Sequence, residues 1–257
     1  MTHPYFQDAP SPRILAHRGL SVGQEILENS YAAVAAARDA GALYVESDCH
    51  LTVDGEVVLF HDSDLRRVTG DPRAVAEVTA AELARLMAGR GELITLRDAL
   101  RDFPRTRFNL DVKAPAAAVP VGTLVAPHAE RVLLTSFSDA RRHAALAAAH
   151  KAGGSPATSG GRETIVKLLA GIAVRSDRLV RSALAGIDAL QLPERRGAVR
   201  IVTPRLLHVA RMLSVEVHVW TVNDAAEMRR LVALGVAGIV TDRADLALAT
   251  FASPTRG

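Results

Sequence analysis

Short apolar runs rich in β-branched residues recur along the chain, and stretches rich in alanine and leucine separate many of them. The runs are Ile14–Ala16, Leu43–Asp48, Phe108–Val112, Val132–Thr135, a weak one near Ala157, Ala189–Leu192, Val215–Trp220 and Gly238–Thr241. Between them lie Tyr31–Ala40, Asp139–Ala149, Glu163–Leu169, Arg205–Leu213 and Ala225–Ala233, several with the 3.6-residue spacing of a helix that buries one face. Strand and helix alternating to the end of the chain predict a parallel sheet with helical crossovers. Eight strands in 257 residues fit an α/β fold of the (β/α)8 barrel type. A doubly wound open sheet is the alternative.

One connection differs from the rest. After Asp48 the chain turns at Val53-Asp54-Gly55-Glu56, where Asp-Gly is a strong hairpin signal. It continues through the apolar run Val57–Phe60 and helical pieces around Ala80–Met87 and Leu96–Arg101 before reaching Phe108. No flexible linker bounds this stretch, so it reads as an insertion at about 49–105 on one barrel loop, within a single domain spanning 1–257. Lys151–Gly161, rich in glycine and serine, is the most flexible-looking segment and reads as a loose loop or a frayed barrel strand.

Composition narrows the classes. Lys+Arg 31 against Asp+Glu 28 leaves +3, too small an imbalance for a polybasic face, so nucleic acid is not indicated as a partner. The single cysteine, Cys49, excludes an internal disulfide framework. No apolar run approaches the roughly 20 residues of a membrane span, and the N-terminus has no signal-peptide pattern. A cytoplasmic protein is the expectation. There is no Gly-x-Gly-x-x-Gly, no phosphate loop ending Gly-Lys-Ser/Thr and no Gly-x-Ser-x-Gly elbow, which disfavours dinucleotide, nucleotide triphosphate and serine-hydrolase chemistry.

The polar residues at strand ends carry the chemistry. The first strand runs into His17-Arg18-Gly19, placing an imidazole and a guanidinium fork at the face where such barrels hold their sites. Glu46 and Asp48, two residues apart, project from one face of the second strand, and Asp111 and Lys113 repeat the device on the third. Carboxylates facing a barrel interior are costly without a compensating cation, and oxygen-only ligation suits Mg2+ or Ca2+. His61 ends an apolar run of the insertion; alone it reads as a core histidine, but with His17 it becomes half of an acid/base pair. Cys49 points away from Asp48, and His218, on the same strand face as Trp220, is read as a buried structural residue.

These fragments occur in one order. His17-Arg18-Gly19, Glu28-Asn29-Ser30, Glu46 with Asp48, Leu51-Thr52 with Asp54-Gly55, His61-Asp62, Asp111 with Lys113, Thr135-Ser136-Phe137, Trp220 to Asn223 and Val240-Thr241-Asp242 together resemble the glycerophosphodiester phosphodiesterases, from Ile14 to about Asp245. The resemblance implies a TIM barrel, one divalent cation and hydrolysis of small glycerophosphodiesters to glycerol 3-phosphate and an alcohol, a reaction of lipid metabolism. It implies His17 and His61 as the acid/base pair, with His17 assigned as base and His61 as acid. It implies Glu46, Asp48 and Asp111 as metal ligands, Arg18 and Lys113 as phosphate contacts, Asn29 as a residue near metal and phosphate, and Trp220 as an aromatic wall of the alcohol pocket. Two positions depart from the family pattern: Leu27 stands where proline is usual, and Asp111 where the longer glutamate is usual. Asp111 puts the metal geometry at issue and, to a lesser degree, the substrate. Two other readings of the same residues are a lysophospholipase D or sphingomyelinase D-like enzyme and a non-catalytic phosphate-binding barrel.

Overall fold

The structure is a computed structural model that describes residues 2–21 and 26–252. Residues 22–25 and both ends of the expected 1–257 domain lie outside the described residues.

The strands are β1 (Arg13–His17), β2 (Tyr44–Leu51), β3 (Val57–Leu59), β4 (Arg107–Val112), β5 (Val132–Thr135), β6 (Ala157–Thr158), β7 (Ala189–Leu192), β8 (Arg195–Arg196), β9 (Val199–Arg200), β10 (Glu216–Val219) and β11 (Gly238–Thr241). Eight of them run parallel in the order β6-β5-β4-β2-β1-β11-β10-β7. The parallel bridge Ser159–Ala189 joins the two ends of that order, closing a (β/α)8 barrel. The helices are α1 (Tyr31–Asp39), α2 (Arg66–Thr69), α3 (Ala80–Met87), α4 (Leu96–Asp102), α5 (Ala118–Val125), α6 (Asp139–Lys151), α7 (Arg162–Ala173), α8 (Asp177–Leu184), α9 (Pro204–Met212), α10 (Ala225–Leu234) and α11 (Ala244–Phe251), of which α2 and α3 belong to the insertion.

The larger core lies between strands and helices, where Val45, Phe108, Leu110, Leu134 and Ile239 meet residues such as Val34, Val121 and Leu231. Alternation along each strand sends the other set inward, with Leu15, Tyr44, Leu133, Ala157, Ala189 and Val240 filling the barrel. The N-terminal turn Pro4–Phe6 plugs the lower end with Tyr5 and Phe6. Arg13 pairs there with Glu216, which also bonds the fully buried His218. His218 therefore belongs to the closed end of the barrel, away from its mouth.

β3 pairs antiparallel with β2 through the expected hairpin, and the insertion builds a small core of its own from Val58, Phe60, Leu65, Val68, Val75, Val78, Leu83 and Met87. Within Lys151–Gly161, Ala157–Thr158 form the short barrel strand β6, and the segment is buried from Pro156 onward, while Lys151–Gly153 stay exposed. Its small residues answer to close approach: a Cβ on Gly154 would lie 2.4 Å from the Ala126 carbonyl oxygen. Composition alone cannot distinguish a glycine kept for freedom from one kept for want of room.

Candidate active site

The C-terminal ends of the strands open into a cavity of about 510 Å³, and it collects residues from six barrel strands and the insertion. His17, Arg18, Glu46, Asp48, His61, Asp111, Lys113 and Trp220 all line it. Asn29 does not. It is buried behind Asp48, where its Nδ2 donates to Asp48 Oδ2 at 3.1 Å and its Oδ1 accepts from Ser47 Oγ at 2.5 Å. Both ends of the Asn29 amide are thus engaged, one of them on Asp48.

Local backbone geometry aims the first motif. Arg18 and Gly19 both take positive φ, and a Cβ on Gly19 would sit 2.6 Å from the Ala33 backbone. Glycine is required there both by conformation and by room, and the tight turn it permits brings Arg18 back over the barrel. The Arg18 guanidinium bonds Glu28 Oε1 at 2.8 Å and lies 3.3 Å from Asp48 Oδ2.

Each histidine has its own carboxylate. His17 Nδ1 donates to Asp242 Oδ1 at 2.6 Å, and Asn223 Nδ2 donates to the other oxygen of Asp242 at 2.7 Å. His61 Nδ1 donates to Asp62 Oδ1 at 2.6 Å. A carboxylate on Nδ1 fixes the tautomer and turns Nε2 outward as the nitrogen that can take or give a proton. Burial alone would pull the His17 imidazole down, but the Asp242 hydrogen bond and the Glu46 charge outweigh it and hold His17 above its ordinary value.

Three acids sit beneath them with little exposure. Burial and the neighbouring Asp48 charge push Glu46 up to about 8. Burial likewise raises Asp111. Lys113 Nζ lies 2.9 Å from Asp48 Oδ1 and 2.7 Å from Asp111 Oδ2, and these two anions hold it charged despite its burial. Among the described residues no three His, Cys, Asp or Glu side chains are closed around one point as a ready-made metal cage. The donor set nevertheless fits a hard divalent ion: its ligands are all carboxylate oxygens, and Asp111 Oδ1 is buried without a partner. Of the cations lining the cavity, Lys113 and Arg18 lie against these acids, and burial together with the neighbouring Asp48 charge is why Glu46 resists ionisation.

The remaining walls are mixed. On the floor Asn109 offers both ends of a buried amide without a partner, and Gln191 an unpartnered Nε2. On the far side Phe137 packs edge-on to Trp220 at 6.0 Å and lies 5.4 Å from Lys113 Nζ, and Ile165, Val166, Leu169 and Ile201 continue an apolar surface outward.

The sequence pattern of the glycerophosphoryl diester phosphodiesterase family matches residues 17–246. The chain belongs to that family. It is 34% identical over 236 residues to "Probable glycerophosphodiester phosphodiesterase 2" of Mycobacterium tuberculosis, covering 90% of this chain and 88% of that one. A crystal structure of a glycerophosphodiester phosphodiesterase from Thermotoga maritima superposes with a TM-score of 0.71 at 25% identity, over 92% of this chain and 97% of the other. A phosphodiesterase from Oleispira antarctica, solved in complex with the product sn-glycerol-3-phosphate, has the same fold with a TM-score of 0.72 at 19% identity, over 95% and 98% of the two chains.

Asp242, Asp62 and Glu28 belong to the ordered motifs, yet sequence reasoning gave them no role of their own. For Asp62 and Glu28 the signal was available, since they adjoin His61 and Asn29; Asp242 has no candidate site residue beside it. Arg67, which bonds both Asp62 and Glu28 at 2.6 Å, carried no such signal.

Proposed function

We propose that this protein hydrolyses glycerophosphodiesters to glycerol 3-phosphate and an alcohol, using His17 and His61 as base and acid. One observation carries the reading: two histidines, each oriented by its own carboxylate, line one cavity that also holds Arg18, Lys113 and three buried acids. A module that only bound phosphate would have no use for two oriented imidazoles. A phosphodiester is an anion that repels nucleophiles, so its charge must be offset before attack. Arg18 and Lys113 do this at the phosphoryl oxygens. His17 Nε2 accepts the proton of the attacking hydroxyl, either water or a hydroxyl of the substrate's own glycerol. His61 Nε2 delivers a proton to the leaving oxygen, so that the alcohol departs neutral. The unpartnered amides of Asn109 and Gln191 offer partners to glycerol hydroxyls.

Glu46, Asp48 and Asp111 are proposed to hold one divalent cation, Mg2+ or Ca2+, which when bound would supply positive charge directly at these buried acids. Stability against pH provides an independent check. Glu46 is raised from 4.5 to about 8, so its contribution to stability is complete below about 4.5 and lost as pH rises through about 8. Adding Mg2+ or Ca2+ to metal-free protein is expected to raise the melting temperature more at pH 9 than at pH 6. An equal gain at both values would remove Glu46 from the ligand set.

The apolar surface formed by Phe137, Ile165, Val166, Leu169 and Ile201 favours a second reading, in which the diester carries a hydrocarbon chain, as in a lysophospholipid. Burying each methylene there would tighten binding about fourfold. The test is turnover of purified protein on a panel of glycerophosphodiesters and of lysophospholipids with increasing chain length, each with and without EDTA. No turnover on any glycerophosphodiester would overturn the main reading; KM that does not fall with chain length would overturn the second.

A further inference from the structure

Several exposed arginines on this protein pair with acids close by in the sequence: Arg38 with Asp39, Arg101 with Asp102, Arg243 with Asp245. Arg67, like Arg230 with Glu194, also reaches an acid far along the chain. Its Nε donates to Asp62 Oδ2 at 2.6 Å, and its Nη2 donates at 2.6 Å to Glu28 Oε1, a residue 39 positions away. Glu28 Oε1 also accepts from Arg18 Nη1 at 2.8 Å. The result is a continuous series of contacts, His61–Asp62–Arg67–Glu28–Arg18–Asp48, running from the insertion to the barrel floor.

The two ends of that series come from parts of the chain that fold around different cores. His61 and Arg67 stand on the insertion, whose packing rests on Phe60, Leu65 and Val68. Arg18 stands on the loop after β1, in the barrel. An acid/base group and a phosphate-binding group must be held at a fixed separation for both to meet one phosphodiester, and displacement of either by about 1 Å can cost about 100-fold. A planar guanidinium that engages two acids at once is the group suited to fix such a separation, and a lysine ammonium is not. Half-exposed ion pairs of this kind contribute little to stability, so the position is explained by geometry and not by folding energy.

We propose that Arg67 is a positioning residue of the active site, locking the His61–Asp62 pair of the insertion to Arg18 of the barrel through Glu28. The inference rests on the reading of His61 and Arg18 as active-site groups. It makes Arg67 responsible for the register between insertion and barrel, a role that nothing in its own sequence neighbourhood advertises.

The test compares wild type with Arg67→Ala and Arg67→Lys by two readouts. The first is titration of the His61 ring by NMR, assigned with His61→Gln. Without Arg67, the Asp62 carboxylate loses its second partner, so the pH dependence of the His61 ring signals changes in Arg67→Ala; Asp64, Arg66 and Lys113, the other charged groups lining that mouth, are unchanged. The second is kinetics on a glycerophosphodiester. Arg67→Ala is expected to lower kcat about 10- to 100-fold with a much smaller change in KM. Arg67→Lys, which reaches only one of the two acids, falls between, and added guanidinium restores part of the Arg67→Ala loss. An unchanged His61 titration, or a kcat within about twofold of wild type, overturns the inference. A wild-type protein without turnover overturns the functional reading instead, and the His61 titration still decides the role of Arg67.

Discussion

Alanine in place of either His17 or His61 is expected to lower kcat by at least about two orders of magnitude while a non-hydrolysable phosphodiester analogue still binds. The reason lies in the division of labour within the cavity. In the proposed mechanism, charge on the phosphoryl oxygens is met by Arg18 and Lys113, which stay in place in either variant, so binding survives. Proton transfer to and from the reacting oxygens is then left to the two imidazoles, and each is already held by a hydrogen bond of 2.6 Å through Nδ1. The double variant should be little slower than the slower single one, since loss of either proton transfer stops the same cycle. The pH profile of wild-type kcat should be bell-shaped, and its limbs belong to the coupled site as a whole. A variant that keeps a tenth or more of wild-type turnover would remove that histidine from the mechanism. Asp242→Asn is a milder version of the same experiment: it preserves shape but frees the His17 tautomer, and its loss should lie below that of His17→Ala.

The barrel was legible because its signals are local. Each buried strand is a short apolar run bounded by turn residues, and β1, β7 and β11 lie within a residue or so of their runs. The weakest signal was at β6, where two residues, Ala157 and Thr158, form the strand and glycines crowd both flanks. There small residues answer to tertiary packing, against Ala126 for Gly154 and against Thr164 for Gly160. A single sequence gives no view of that contact. The candidate site was legible at the strand ends, where alternation fixes which of Glu46, Ser47 and Asp48 faces inward. What lay beyond reach was the set of contacts between distant segments: Asp242 on His17, Asn29 behind Asp48, and Arg67 on Glu28. No periodicity links residues 39 or 225 positions apart, and only closure of the barrel and docking of the insertion bring them together.

Chelation of divalent cations is expected to abolish turnover, and Mg2+ or Ca2+ should restore it better than ions that prefer nitrogen or sulfur donors. The physical case is the crowding of buried negative charge at the three acids themselves. Glu46, Asp48 and Asp111 are buried together against one ammonium and one guanidinium, and the bound phosphodiester adds a further negative charge. Glu46 relieves the crowding by holding its proton up to about pH 8, which is a poor state for a site that works near neutrality. Asp111 is the sharper probe of this argument, because it is one methylene shorter than the glutamate usual at that place. As a direct ligand its oxygen should lie about 2.0–2.6 Å from the ion in a metal-bound crystal structure. Asp111→Asn should then weaken metal affinity, since a neutral amide oxygen replaces a charged one, and added metal should recover part of the lost activity. Asp111→Glu should be tolerated if the cavity mouth relaxes. If Asp111 serves only to hold Lys113, the 2.7 Å contact between them is its whole role, and metal titration of Asp111→Asn will reproduce the wild-type curve. Full turnover in chelated protein would sink the metal requirement altogether, leaving Arg18 and Lys113 to carry the phosphoryl charge alone.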